Sequence, residues 1–389
     1  MVASKHEYWA SDSTYEIEWD RARELHDSGR FSDALILYRG LMANGVNADI
    51  YYETGCCYYG LKDFERAIIF FEKSLQLNDR RWSCLTKLAD CYYNQKDFSK
   101  AIYNATRART LKPDDLQGIL ELAKYYSANN MNFESMYFYN KYLQTAPDKR
   151  SETYREINKK LSDARSSSSK YASLGYNSFN RKEFTPARTA YLQALQLYPI
   201  SYDTNYNLAL ANRDLNNHKE AIAYFMQSLF LNPQNTRTFM HIASEYSKLR
   251  DYTRAYCFVK RYLNSIMNQN QAEYLNTMKN LKALEPHINK DFSPNVQTFI
   301  AKNQYLFAYY ELENATLVSD NKDNSIAFNN IELMVFPEKS LSTIYNKKGT
   351  ELYNSGKIKD ANKYFTRVME ISSKDSAEYK FAKARLSYV

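Results

Sequence analysis

The chain has 389 residues, 44% of them apolar and 25% charged, and its formal net charge is +8. That balance excludes a disordered polymer, and nine glycines with eight prolines exclude a loop-dominated or collagen-like one. No stretch approaches the roughly eighteen apolar residues of a membrane span, so no span is expected.

Residues 1–7 have no apolar run behind a basic start and read as neither a signal peptide nor a lipidation signal. The charge is uneven. Residues 1–165 hold 24 Lys+Arg and 24 Asp+Glu, whereas residues 166–389 hold 28 and 20. The second half therefore permits an acidic partner or nucleic acid without demanding either. Cys56, Cys57, Cys84, Cys91 and Cys257 lack zinc-ligand spacing and are odd in number, so buried free thiols in a reducing compartment, the cytoplasm, are expected.

In chain order, residues 1–14 lack periodicity and read as a loose tail. A repeating unit starts near Tyr15, with Ala22, Leu25, Gly29, Phe31, Ala34 and Tyr38. The next, from Ala48, carries Tyr51, Thr54-Gly55, Tyr58, Phe64, Ala67, Phe71 and Ser74. The third, from Trp82, carries Leu85, Leu88-Ala89, Tyr92, Phe98, Ala101, Ala108 and Pro113. The fourth, from Leu116, keeps Ile119, Leu122-Ala123 and Tyr126, but Ser135 replaces the alanine and Phe133 is displaced by one. Pro147 still follows Pro113 by 34 residues, so residues 15–148 form one array.

The frame then breaks, because Pro147 and Pro199 lie 52 residues apart. Tyr154, Ile157 and Leu161 are spaced for one helical face, which places an extra helix within 149–167. Ser166-Ser167-Ser168-Ser169 reads as a turn whose serines cap the following helix. Residues 168–266 resume the pattern three times. Ala187, Ala221 and Ala255 recur every 34 residues; Leu174-Gly175, Leu208-Ala209 and Ile242-Ala243 precede them, and Tyr191, Phe225 and Val259 follow. A fixed period of this size marks a stacked repeat protein.

From 267 to 341 the pattern is lost. Ala272–Leu284 and Val296–Leu312 read as helices, 319–330 as a polar loop, and 331–336 as an apolar run that periodicity cannot assign. Within 342–389 an eighth unit recovers with Tyr345, Gly349, Leu352, Gly356, Ile358, Ala361 and Phe365. A final helix, 376–388, carries Lys380, Lys383 and Arg385 on the polar face that a solenoid end requires.

These residues resemble the tetratricopeptide repeat, a 34-residue helix–turn–helix. The resemblance implies an all-α fold, a right-handed superhelical solenoid of about eight units with two non-repeat insertions. It also implies non-enzymatic binding of a protein or peptide in a concave groove, with no cofactor. Small residues at the eighth and twentieth positions let the paired helices approach, and large ones at the fourth, seventh, eleventh, seventeenth and twenty-fourth fill the space.

In this family the groove is lined by the fifth, ninth, twelfth and thirteenth positions of the first helix. Carried over, those positions give Trp19; Tyr52, Cys56, Tyr59 and Gly60; Thr86, Asp90, Tyr93 and Asn94; and Leu120, Lys124, Ser127 and Ala128. Later units give Ala172, Tyr176, Phe179 and Asn180; Tyr206, Leu210, Arg213 and Asp214; and Met240, Ser244, Ser247 and Lys248. Aromatic rings interleaved with amides suit an extended peptide. The carboxylate clamp of the chaperone-binding members is not expected, because no ninth position holds asparagine.

No phosphate-binding glycine loop, His-Glu-x-x-His or Gly-x-Ser-x-Gly occurs. His6, His26, His218, His241 and His287 are scattered, and His218, at a normally aromatic position, should pack. Two other readings stay open. The chain could bind RNA through its basic second half, although the groove there offers only Arg213 and Lys248. It could equally be the regulatory or targeting subunit of an enzyme on another chain.

Overall fold

The repeat is written into the backbone at its turns. Gly29 has φ of 78°, and Lys62, Lys96, Asn130, Lys182, Asn216 and Arg250 have φ between 57° and 63°. From Lys62 to Asn130, and again from Lys182 to Arg250, these left-handed residues fall 34 apart. Each reverses the chain between two helices, and the second helix starts two residues further on. Asp63, Asp97 and Asp251 accept the backbone N–H of Arg66, Lys100 and Arg254, each at 3.1 Å. These are helix caps that satisfy donors left open in the first turn.

The computed structural model describes residues 13–79, 81–112, 115–266, 271–288, 358–371 and 377–386, with single positions at 308, 309, 311, 314, 346, 349, 350, 352 and 353. Among them there is no strand. Of the tail expected over 1–14, residues 1–12 lie outside the described residues, and Ser13 and Thr14 belong to the first helix; Pro113, the loop expected at 319–330, the run at 331–336, Tyr345 and Gly356 also lie outside them.

The chain divides into two compact units, residues 1–130 and 131–389. The first holds α1 (Ser13–Asp27), α2 (Phe31–Ala43), α3 (Ala48–Gly60), α4 (Phe64–Leu77), α5 (Trp82–Asn94), α6 (Phe98–Leu111) and α7 (Leu116–Ala128), each packed on the next. The second begins with α8 (Asn132–Thr145), α9 (Glu152–Asn180), α10 (Phe184–Leu197), α11 (Tyr202–Asp214), α12 (His218–Leu231), α13 (Arg237–Lys248), α14 (Tyr252–Ile266) and α15 (Gln271–Leu284). From α9 to α15 each again packs on the next. Later in the chain α16 (Ile358–Ile371) pairs with α17 (Ala377–Leu386).

The small positions are the closest-packed points. Ala34, Ala67, Ala101, Ala187, Ala221, Ala255 and Ala361, all at the twentieth position, are 0% exposed. Ser135, the substitute in the fourth unit, is buried as well. The aromatics opposite them are equally enclosed: Tyr38, Phe71, Tyr191, Phe225 and Phe365. Fully burying one such side chain contributes roughly 1.5–3 kcal/mol.

The serine run is not a turn. It lies inside the 29-residue helix α9, capped at its start by Ser151, whose hydroxyl accepts the Tyr154 N–H at 3.3 Å. Serine costs a helix interior only a few tenths of a kcal/mol against alanine, and no glycine or proline interrupts the run. Packing on both sides outweighs that cost. Ile157 and Leu161 are buried in the first half, and Ser168, Gly175 and Ser178 farther along. Arg165 donates to the Tyr198 hydroxyl at 2.8 Å, fastening the first half to the end of α10. The extra helix and the first helix of the fifth repeat are thus one rod.

The drift in the fourth unit has a packing cause. Phe133 and Tyr137 of α8 lie 6.0 and 4.9 Å, centroid to centroid, from Phe230 of α12. Their spacing serves that contact as well as the repeat. Within the expected insertion, α15 forms where Ala272–Leu284 was expected, and Pro286 lies in a short 3-10 turn after it. Residues 308, 309 and 311, within the second expected helix, are helical. Arg254 of α14 holds Glu311 by two bonds of 2.7 Å, and Arg261 donates to Asn314 Oδ1 at 2.7 Å. Glu311 and Asn314 thus lie against α14.

Candidate partner-binding site

On α3, Tyr52, Cys56, Tyr59 and Gly60 are spaced i, i+4, i+7 and i+8, so they share one helical face. They line a cavity of about 570 Å³ together with Arg23, His26 and Asp27 of α1, Glu53, and Lys87 of α5. A second cavity, of about 380 Å³, is walled by Tyr15 and Trp19 and edged by Glu16, Asp20, Asn47 and Asp49. Both belong to the first unit, and both are built chiefly by first helices. The Tyr15 and Trp19 rings stack at 6.4 Å, and Trp19 meets Tyr38 edge-on at 5.7 Å.

Burial is the main force on the titratable groups here. It pushes the Glu53 carboxyl above its usual range, against the pull of His26, Arg81 and Arg23. It also raises Tyr52, and it raises Tyr59 with help from the Asp90 carboxylate. The Cys56, Cys57, Cys84 and Cys91 thiols are pushed up to about 12, chiefly by burial. All five cysteines are buried and free, so these thiols are poor nucleophiles.

Several expected groove residues turn out to hold neighbouring repeats together. The Tyr59 hydroxyl donates to Asp90 Oδ2, and Tyr125 donates to the other carboxylate oxygen at 3.4 Å. Asn94 donates to the Asp90 carbonyl at 2.7 Å and to its carboxylate at 3.3 Å. Tyr93 packs on Tyr125 at 5.0 Å, with the Lys124 ammonium 4.1 Å from its ring centre. Thr86 donates to the Trp82 carbonyl one turn back, at 3.0 Å. The Arg81 guanidinium lies 3.8 Å from the Tyr52 ring centre and pairs with Asp49.

The second unit is similar. Tyr206 and His241 share a hydrogen bond of 3.0 Å, and His241 stacks on Phe225 at 5.1 Å. Phe179 meets Phe184 edge-on at 5.5 Å. Arg213 pairs with Asp214 at 2.7 Å. Lys248 and His218 both reach the wholly buried Glu245 carboxylate, at 2.8 and 2.6 Å. His218 is largely buried and shares its hydrogen bond with that carboxylate across two helices. Tyr176 is 54% exposed, Asn180 is exposed, and Met240 is half-buried.

Sequence reasoning missed Glu16, Asp20, Asp49, Glu53 and Lys87, which occupy the second and sixth repeat positions. Positions two, five, six and nine are spaced i, i+3, i+4 and i+7, so reading the lining at that helical spacing would have found them. Among the described residues no group of three or more His, Cys, Asp or Glu could hold a metal ion, and no helix is long and apolar enough to cross a membrane.

Paired helices at a 34-residue period, with alanine at the tightest point, define a helical repeat protein. The tetratricopeptide repeat family matches residues 48–81 and again 202–235, the second and sixth units. The chain thus carries tetratricopeptide repeats at those two stretches. No curated protein matches it.

Among solved structures it is similar to the TPR2AB domain of yeast Sti1 in its HSP90 complex, at 18% identity, TM-score 0.27, over 62% of this chain and 97% of that one. It is also similar to the TPR domain of P58(IPK), at 16% identity, TM-score 0.32, over 88% and 98%. A third is a tetratricopeptide repeat protein from Parabacteroides merdae, at 13% identity, TM-score 0.34, over 70% and 98%.

Proposed function

We propose that the protein is a non-enzymatic interaction scaffold that holds an extended segment of another protein against the face formed by its first helices. The observation that carries this reading is the pair of aromatic-walled cavities on that face. Rings offer apolar contact at low entropic cost, and polar groups between them can bond a peptide backbone. An enzyme on another chain, with this protein as its targeting subunit, is one form such a partner could take. RNA is disfavoured, because Arg213 and Lys248, the groove cations of the second unit, are already bound to Asp214 and Glu245.

The test is a photo-cross-linking amino acid placed singly at Lys124 or Tyr176 on first helices, and at Ile69 or Tyr103 on second helices, all exposed. Cross-links to a protein from the first-helix positions alone support the reading. Cross-links from Ile69 and Tyr103 alone contradict it.

A further inference from the structure

The first unit is the acidic part of a basic chain. Residues 1–130 hold 17 Lys+Arg and 19 Asp+Glu, against +8 for the whole protein. The lining of the smaller cavity is more one-sided. Among the described residues it holds three carboxylates, Glu16, Asp20 and Asp49, and no Lys or Arg. Only Asp49 has an ion-pair partner, Arg81, whose guanidinium is held over the Tyr52 ring. Among the described residues no hydrogen bond or ion pair reaches the side chains of Glu16 and Asp20. The wall between these carboxylates is the stacked pair Tyr15 and Trp19.

We propose that this cavity seats an arginine or lysine side chain of an extended, basic peptide segment belonging to another protein. The claim rests on the scaffold reading and names the chemistry of its partner. A guanidinium laid on the Trp19 ring gains a cation–π contact, strongest with tryptophan. Its N–H groups then point to carboxylates at the cavity edge, where charge-assisted hydrogen bonds are about twice as strong as neutral ones.

The neighbouring cavity continues the track. Glu53 lines it with no hydrogen bond or ion pair among the described residues, although burial opposes its charge. A carboxylate held half out of water without a donor costs free energy. A donor from the next part of the same peptide offsets that cost. Arg23, His26 and Lys87 line this second cavity as well, so the preference for a basic over an acidic segment rests on Glu16 and Asp20 of the first.

The experiment measures fluorescence anisotropy of the full-length protein with two labelled, end-blocked peptides at low salt. One alternates arginine with alanine and the other glutamate with alanine. The arginine peptide is expected to bind at least about tenfold more tightly, a difference of about 1.4 kcal/mol. Since the whole chain carries +8, bulk charge works against that result, so the attraction must be local. Neutralising the seat with the double variant Glu16→Gln, Asp20→Asn should remove most of the preference. Both side chains are exposed, so an unchanged thermal melt is expected of this variant. Trp19→Phe should keep part of the affinity, and Ile69→Ala, exposed on a second helix, all of it.

Equal affinity for the two peptides overturns the proposal, as does a preference that survives the double variant. Arginine-peptide binding that appears only after residues 1–12 are deleted also overturns it, by assigning the seat to the chain's own beginning. If the peptides fail while Lys124 and Tyr176 still cross-link a protein, the scaffold reading stands and the basic-partner claim alone falls. If the arginine peptide binds but partners cross-link only from Ile69 and Tyr103, the scaffold reading falls.

Discussion

Gly55 and Phe71 are in such close contact that a Cβ on Gly55 would lie 2.7 Å from the Phe71 ring. The same relationship joins Gly175 to Tyr191 at 2.6 Å and Gly349 to Phe365 at 2.7 Å. In each, the eighth position of a repeat gives up its side chain so that the aromatic ring at the twenty-fourth can lie against the backbone. Phe71 is 0% exposed and has no room to withdraw. Gly55→Ala should therefore destabilise the first unit by about 1–3 kcal/mol, the usual cost of overpacking. Thermal unfolding checks this, and an unchanged midpoint would contradict the packing described. Ala221→Trp, at a wholly buried twentieth position, should be worse in the second unit.

The turn residues predict gains as well as losses. A side-chain-bearing residue in the left-handed region costs roughly 1–2 kcal/mol, which glycine avoids while adding some unfolded-state entropy. Lys96, at φ 63°, should tolerate Lys96→Gly with a gain of up to about 1 kcal/mol, and Lys96→Val should lose stability. Denaturant midpoints measured side by side decide both signs.

Arg254 and Glu311 test whether the segment beyond α15 covers α14. Their bidentate pair is largely buried, with side-chain exposures of 23% and 6%. Removing Glu311 takes away two charge-assisted hydrogen bonds and leaves Asp251 as the remaining ion partner of Arg254. Glu311→Ala should therefore destabilise the second unit by about 1.5–3 kcal/mol. Hydrogen exchange should rise in α14 of that variant; unaltered protection there would show that Glu311 covers nothing.

Burial pushes the Glu134 carboxyl up to about 7. Its folded value stands above the unfolded one, near 4.5, so the folded state holds the proton more tightly between them. Stability from this group is full below the unfolded value and is lost as pH rises through about 7. Glu134→Gln, which cannot ionise, should be more stable than the wild type at pH 8 and show a smaller advantage at pH 5. A difference independent of pH would refute the assignment.

Much of the fold was legible because small residues are expensive to vary. The alanines at the twentieth position, the glycines at the eighth, and Pro147, Pro199 and Pro233 each stand where one local demand dominates. The serine run misled because serine is a cap residue only where a helix begins, and here tertiary packing carries the helix straight through. The site was half legible. Trp19, Tyr52 and Tyr59 do line cavities, but Tyr93, Asp90, Asn94 and Lys124 are engaged with neighbouring residues. A position number locates a side chain on a helix face, and only its neighbours decide whether it turns outward or joins the seam.

The most direct measurement of the central claim is affinity capture from cell extract. It compares the wild type with the triple variant Lys124→Ala, Tyr176→Ala, Asn180→Ala, with and without ribonuclease, read by mass spectrometry. All three positions are exposed, so the fold should survive. The scaffold account predicts a protein captured by the wild type, lost from the variant and indifferent to ribonuclease. Capture that ignores the variant and disappears with ribonuclease would contradict it and make RNA the ligand.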